Sequence, residues 1–245
     1  MNTASASPTD HAQTAQSRPP SRRVIDAPTR ALHWLLAFSF SGAYLSAESE
    51  RWHLVHITLG YTVLGLVLTR LAWGLFGPKR VGLAAWASKL RGLPQQLRGW
   101  PQGHGNLLAS YQGLNTLLIV ALLGFALLAA LSGMGLELEW LSGNRLEELL
   151  EEVHETLGNA TLAVVLGHLG LIVGISLLRR HNHAAPMLNG RTPGKGPDLV
   201  KHNLRPLAAL LIAAVLGFWY WQWQGAPLAT QERPGISARD DGDDD

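Results

Sequence analysis

The chain has 245 residues, of which 47% are hydrophobic and only 16% charged, with a formal net charge of +2. It contains no cysteine, which excludes disulfides, cysteine-ligated iron–sulfur clusters and the covalent attachment of a c-type haem. Because both ends of the chain are polar, the hydrophobic residues are concentrated in runs between them. This distribution indicates an all-α integral membrane protein.

Residues 1–23 are rich in Ala, Ser, Thr, Gln and Pro and have no apolar core, so we expect a disordered cytoplasmic tail and not a signal peptide. Five segments beyond the tail read as membrane helices, and they cover roughly residues 31–47, 54–76, 114–136, 151–178 and 206–223. A long polar connection, 77–113, separates the second segment from the third. An acidic amphipathic lead-in, capped by Asn144, is expected to run on into the fourth.

The last part of the chain is predicted as a basic cytoplasmic loop at 181–205, a fifth transmembrane helix at 206–223 and an acidic periplasmic tail at 224–245. An amphipathic helix that does not span the membrane is the alternative for 206–223. Lys and Arg number four in residues 1–30, five in 77–113 and six in 179–205, against four on the opposite side. This asymmetry predicts a multi-pass protein with a cytoplasmic N-terminus and an acidic C-terminus on the opposite side. If the protein is bacterial, that side is the periplasm and the membrane is the inner membrane.

Four histidines fall inside the predicted spans. His154 and His168 are 14 residues apart, which on a helix returns to within about 40° of the same face and separates them by about 21 Å. The orientation places His33 and His168 on the inner side and His56 and His154 on the outer side. Two opposed imidazoles from different helices are what axial ligation of a b-type haem requires. The sequence therefore predicts two haems b, one for each pair, within residues 24–180.

Smaller features accompany these histidines. Gly60 and Gly158 each follow an outer histidine by four residues, where a missing side chain would let a flat macrocycle approach the helix. Arg70 and Arg30 are candidates to pair with a propionate of the inner haem. The alternative for Arg70 is a side chain that reaches the inner membrane surface. His53 is only three residues from His56 and is the alternative ligand if the helix register differs.

Several motifs in the same segments resemble a known family. They are D-x-P-T-R-x-x-H-W at 26–34, A-Y-L-S at 43–46, H-x-x-x-G-Y-x-x-x-G-L-x-x-x-R-x-x-W-G at 56–74, E-x-H-E at 152–155 and G-H at 167–168. Together they resemble the bacterial cytochrome b561 family, which includes the cytochrome b subunits of nickel–iron hydrogenases, over about residues 22–190. The resemblance implies a four-helix bundle holding two b haems, with ligands at His33, His56, His154 and His168.

The chain departs from the family pattern in two places. It reads G-H-G-N at 103–106, where G-H-N-P is common in the family, and it continues into a fifth span. These departures leave the haem ligands in place, but they affect loops where partners would dock.

The resulting functional hypothesis is a di-haem membrane cytochrome that transfers electrons between a quinone and a periplasmic cytochrome or dehydrogenase subunit. The alternatives are direct oxidation of a small reductant, a haem-free membrane module for metal binding or proton relay, and an anchor subunit for one periplasmic enzyme. The acidic segment 137–152 is either a solvated surface or an attraction site for a basic periplasmic cytochrome. The sequence leaves open whether the protein forms a homodimer. Membrane lipid is expected to surround the bundle. The sequence contains no nucleic-acid-binding pattern.

Overall fold

The computed structural model describes residues 20–76, 82–99, 106–140 and 143–225. Within this part of the chain the helices, in order, are α1 (Ala27–Ser46), α2 (His53–Phe76), α3 (Leu83–Arg98), α4 (Leu107–Glu137), α5 (Asn144–Leu178), α6 (Ala185–Asn189) and α7 (Arg205–Gly225). Two short strands, β1 (Ser21–Arg23) and β2 (Arg191–Pro193), pair antiparallel. The predicted all-α membrane bundle is confirmed.

Four helical segments of the described chain are long and apolar enough to cross a membrane, namely 50–76, 107–137, 145–178 and 205–225. The last of these is α7, so the prediction that 206–223 forms a helix long and apolar enough to cross a membrane is confirmed. α1 is not among the four, because Arg30, His33 and its serines make it less apolar than the others. Its 20 residues nevertheless extend about 30 Å, which is the thickness of a bilayer core.

α1 begins earlier than the sequence suggested because its first turn is capped. The Asp26 side chain accepts a hydrogen bond from the Thr29 backbone N–H at 2.8 Å, and Pro28 occupies the first turn. α1 then packs against α2, and the Tyr44 hydroxyl donates to Asn159 Oδ1 of α5 at 2.8 Å. This bond is a direct link between the first helix and the fifth.

α4 and α5 form the second hairpin and have the most extensive contact of any two helices described. α2 packs on α4, and this contact joins the two hairpins. α5 has no comparably close packing with α1 or α2 within the described residues. We call this loosely packed region between α5 on one side and α1 and α2 on the other the cleft. All four predicted ligand histidines are on helices that border it.

The long polar connection at 77–113 contains a helix that the sequence analysis did not predict, α3. Pro94, scattered Gly and low hydrophobicity concealed the helix, although Leu83, Trp86, Leu90, Leu93 and Leu97 fall at helical spacing. Trp86 is buried with Val63, Val67 and Leu123 at the junction of α2, α3 and α4. α3 thus closes one side of the bundle.

The lead-in to the fourth span does continue without a break into α5, as expected. Its cap differs from the prediction, since Gly143 and not Asn144 occupies the N-cap position. α5 has 35 residues and is about 52 Å long, so it exceeds the bilayer core by several turns.

Residues 20–30 and 187–203 form a polar layer at one end of the bundle, where the sequence suggested a tail and a loop. Arg22 pairs with Thr192 in the β1–β2 ladder, and the Ala27 N–H donates to the Asn203 carbonyl at 3.1 Å. The Trp34 indole donates to the Met187 carbonyl at 3.2 Å. Strands of three residues without apolar alternation give no signal in a sequence. Residues 1–19 and 226–245, which hold most of both predicted tails, lie outside the described residues.

α7 lies against α1 and α2. Val215 is buried with Leu32 and Leu66, and the Trp219 indole donates to Thr62 Oγ1 at 2.8 Å. Within the described residues, the additional helix therefore packs mainly on the first hairpin.

Candidate haem-binding centres

The outer pair of histidines meets across the cleft. The ring centres of His56 on α2 and His154 on α5 are 6.0 Å apart, with 83° between the ring planes. Two metal–nitrogen bonds of about 2 Å, with each ring centre about 1 Å behind its nitrogen, span about 6 Å. The separation therefore suits one metal ion held between the two imidazoles. His53 is exposed at the start of α2, so His56 is the residue that faces His154.

Backbone carbonyls fix the tautomer of both outer rings. His56 Nδ1 lies 2.8 Å from the Ala43 carbonyl oxygen, and His154 Nδ1 lies 2.9 Å from that of Ala129. Because a carbonyl can only accept, each Nδ1 carries the proton and each Nε2 keeps its lone pair. Metal-binding histidines are usually held in this way, with the second ring nitrogen donating to a carbonyl or carboxylate.

The helices beside the outer pair leave room for a flat group. Apart from its own helix, no described atom comes within 4 Å of a Cβ built on Gly60 or on Gly158. Each glycine is four residues beyond its histidine and so lies on the same helix face. The residues of the outer pair thus fit a bis-histidine haem. The opposite holds at Gly133 on α4, where a Cβ would lie 2.7 Å from His154 Cε1.

The inner pair is looser. His33 and His168 are close enough for their charges to interact, so the structure brings them to the same region. The buried Nδ1 of His168 has no hydrogen-bond partner among the described residues. The His33 ring packs edge-on against Trp34, with ring centres 5.4 Å apart. Their role as ligands of a second haem stays a prediction.

The two arginines proposed for the propionates both lie near the inner end. Arg30 is one turn before His33, and its Nη1 donates to the Leu188 carbonyl at 2.8 Å. The Arg70 guanidinium lies 4.6 Å from the ring centre of Trp86, a cation–π contact, and it interacts electrostatically with buried Asp26. Arg70 is therefore held against α3 and the start of α1 at this end of the bundle. Pairing of either guanidinium with a propionate stays a prediction.

A cluster of rings that the sequence did not suggest lies at the inner end of α4 and α5. The His183 ring centre is 5.4 Å from that of Tyr111 and 5.4 Å from that of His181. Burial, with smaller effects of the His181 and Arg179 charges, lowers the pKa of His183 below its usual value, so this ring is neutral at pH 7. The only earlier signal was the H-N-H string at 181–183.

The same end of α4 contributes an unsatisfied amide. Asn115 Oδ1 is buried and has no hydrogen-bond partner in the part of the chain described. Leu118 lies 3.9 Å from a Cβ built on Gly167, so α4 and α5 touch at this level. Asn115 is one turn from Leu118 on the same face of α4 and therefore lies near this contact with α5.

Bare metal ions usually need three or more protein ligands. Residues 20–76, 82–99, 106–140 and 143–225 bring together no group of three or more His, Asp or Glu side chains suited to a metal ion. What the described residues do offer is pairs of imidazoles, and a haem supplies the other four ligands from its own ring.

Comparison with known proteins gives one result for this arrangement. The family model for prokaryotic cytochrome b561 matches residues 24–190, which include both hairpins and all four histidines. No match was found among curated proteins or among solved structures. The matched segment covers more than half of the chain, and the chain therefore belongs to the prokaryotic cytochrome b561 family, whose members are membrane cytochromes that bind haem b and transfer electrons.

Proposed function

We propose that this protein is a di-haem cytochrome b that transfers electrons across the bacterial inner membrane between a quinone and a periplasmic redox partner. The observation that carries the proposal is the outer pair, in which His56 and His154 face each other at 6.0 Å with both Nδ1 atoms bound to carbonyls. A haem supplies a one-electron couple, whose potential depends on its ligands, burial and hydrogen bonds.

The residues of the chain hold and orient this couple. His56 and His154 would hold the outer haem, while His33 and His168 would hold the inner one, about 21 Å from it in ligand height. Arg30 lies beside the inner pair, where its charge favours binding of an anionic propionate.

The inner end is the side on which we place the quinone. A quinone headgroup needs hydrogen-bond donors, and the corresponding quinol needs acceptors. His168 Nδ1 and Asn115 Oδ1 are buried and unsatisfied within the described residues. His168 follows Gly167 on α5, and Asn115 is one turn from Leu118 on α4, the two residues at which these helices come close. A His168 ring that binds iron through Nε2 carries its proton on Nδ1 and can donate it to a quinone oxygen. Asn115 Oδ1 can accept from a quinol hydroxyl.

The outer end suits a basic redox partner. The first turns of α5 extend beyond the bilayer core and expose a group of acidic side chains, namely Glu147, Glu148, Glu151, Glu152 and Glu155. A surface of one sign attracts a partner of the opposite sign and raises its association rate. This is the property expected of a dock for a small positively charged cytochrome or a basic dehydrogenase subunit.

The decisive experiment is a reduced-minus-oxidised absorption spectrum of the purified full chain, with haem quantified as the pyridine haemochrome. We expect two haems b per chain with low-spin bands. One haem per chain would show that only one histidine pair is a ligand pair. A protein without haem would contradict the proposal and would favour a metal-binding or proton-relay module.

A further inference from the structure

The two outer histidines are held by the same four-residue pattern, which occurs once in each hairpin. The pattern is Ala-x-Leu-Ser, at residues 43–46 of α1 and at residues 129–132 of α4. In both segments the alanine carbonyl lies at hydrogen-bond distance from a histidine Nδ1 on the next long helix of the hairpin. In each hairpin, therefore, one histidine borders the cleft, and its Nδ1 is already hydrogen-bonded to an alanine carbonyl.

The serine of each segment bonds the same carbonyl. Ser46 Oγ donates to the Ala43 carbonyl at 3.1 Å, a bond it shares with the Gly42 carbonyl at 2.8 Å. Ser132 Oγ donates to the Ala129 carbonyl at 2.9 Å. Both serines are 7% exposed, so neither hydroxyl is exchanged freely with solvent. Each carbonyl therefore has two polar partners, a serine hydroxyl and an imidazole N–H.

A serine or threonine that bonds a carbonyl one turn back is common in membrane helices and needs no functional reading. Thr62, Thr69 and Thr116 of this chain make such bonds. Ser46 and Ser132 differ because the carbonyl they bond is the one that orients a histidine. At Ala43 the carbonyl is also near the end of α1, where the Ala47 N–H bonds Tyr44 instead, so His56 takes up a carbonyl that the helix leaves over.

Ser132 also lies within hydrogen-bond distance of the histidine ring itself. Its Oγ lies 3.1 Å from His154 Nδ1, while the same Nδ1 is 2.9 Å from the Ala129 carbonyl. The Ser132 hydroxyl proton is directed to the carbonyl, so its oxygen is free to accept from the Nδ1–H. On the other side the ring lies close to Gly133, since a Cβ added there would be 2.7 Å from His154 Cε1. The His154 ring is thus held from two sides.

We propose that the two Ala-x-Leu-Ser segments position the axial ligands of the outer haem, and that the Ser132 hydroxyl sets the donor strength of His154. The inference rests on the proposed function, because it requires a haem between His56 and His154. A hydrogen bond from Nδ1–H makes the imidazole a stronger donor through Nε2, and a stronger donor favours ferric over ferrous iron. Ser132 therefore lowers the reduction potential of the outer haem.

The test is a potentiometric titration of the full chain, wild type against Ser132→Ala, with the EPR spectrum of the ferric protein as a second readout. The outer haem is identified as the component that His154→Ala abolishes. We expect Ser132→Ala to raise the potential of this component so that its reduced-to-oxidised ratio at a fixed ambient potential increases about tenfold, which for a one-electron couple is about 59 mV. The other component stays in place.

Three further variants define the cause of the shift. Ser132→Thr keeps a hydroxyl and should restore the potential. Ser46→Ala removes a bond to the carbonyl without touching a ring, so we expect a smaller shift together with an altered EPR signal of the outer haem. Thr116→Val on α4 removes a hydroxyl that bonds only a backbone carbonyl and should leave both components unchanged.

The outcomes separate the two proposals. A wild-type protein without haem overturns the proposed function and this inference with it. Haem retained in all variants, with an unshifted or lowered outer potential in Ser132→Ala, overturns the inference alone. A shift in Thr116→Val equal to that in Ser132→Ala also overturns it, since the effect would then follow from any lost hydroxyl on α4.

Discussion

At the scale of single residues, the histidines carry the sharpest expectation. His154→Ala removes one ligand of the outer pair and should abolish the outer haem, while the inner haem stays. His168→Ala should do the reverse, since it removes one ligand of the inner pair. The measurement is haem per chain by pyridine haemochrome, with the reduced spectrum of each variant. Two haems in either variant would show that the pairing is wrong.

Gly133 gives a second residue-scale expectation, because His154 occupies the space that a side chain at this position would need. Gly133→Ala should displace the imidazole and lower the affinity for the outer haem by about tenfold, the lower end of the usual effect of a disturbed partner of a metal ligand. Gly124→Ala is the matched control on the same helix, since no described atom outside α4 lies within 4 Å of a Cβ there. Equal haem retention in both variants would contradict this reading.

Asn115 tests the side on which the quinone binds. Asn115→Ala removes the buried amide oxygen that we assign to the quinol and should reduce electron transfer with a water-soluble quinone analogue at least several-fold. Haem content and both potentials should not change, because Asn115 Oδ1 is hydrogen-bonded to none of the four histidines in the described structure. Unchanged quinone kinetics in Asn115→Ala would place the quinone elsewhere.

Single residues also show which features of the site could be predicted from the sequence and which could not. The four histidines could be sorted by depth because a charge-capable side chain in an apolar span is conspicuous. The roles of the Ala43 and Ala129 carbonyls could not be predicted. Every residue has a backbone carbonyl, and the sequence does not show which of them meets a histidine. The repeated A-x-L-S pattern is visible in the sequence, but it acquires meaning only when each serine is seen to share a carbonyl with a histidine.

At the scale of elements, the long apolar helices were predictable and the short or polar ones were not. α4 and α5 are marked by uninterrupted apolar runs, and the resulting segments lie close to the observed ones. α3 was missed because its apolar residues repeat at helical spacing within a stretch that contains Pro94 and several charges. The strands β1 and β2 are defined by their pairing across 170 residues, and no local pattern specifies such a contact.

The attachment of α7 can be tested through the part-buried side-chain hydrogen bond that Trp219 makes to α2. Trp219→Phe keeps the ring packing near Leu32 and Leu66 but removes the bond to Thr62. We expect a loss of about 1 kcal/mol in stability, seen as a lower temperature of unfolding in detergent, with haem content unchanged. Trp221→Phe is the control, because that indole is 67% exposed. Equal unfolding temperatures would mean that the Trp219 bond contributes little.

At the scale of the whole molecule, orientation is the property that the charges of the loops predict. The chain has no cysteine, so single cysteines can be labelled in cells without background. Lys195→Cys, exposed in the polar layer, should resist a membrane-impermeant maleimide until the cells are broken. Glu48→Cys, exposed between α1 and α2, should react in intact cells whose outer membrane is permeable. The reverse labelling pattern would mean that the protein has the opposite orientation in the membrane. The pair named inner would then lie on the periplasmic side and the pair named outer on the cytoplasmic side.

The polar layer has a consequence for how this architecture can be extended. The family segment, 24–190, begins beside β1 and ends beside β2, and these two strands are hydrogen-bonded to each other. The start and the end of the cytochrome segment are therefore spatial neighbours, and anything joined there departs from a single point on its surface. α7 is such an addition. A further module could therefore be fused beside β1 and β2, or the chain could be circularly permuted by joining it there and opening it elsewhere. Neither change should alter the electron-carrying part of the protein.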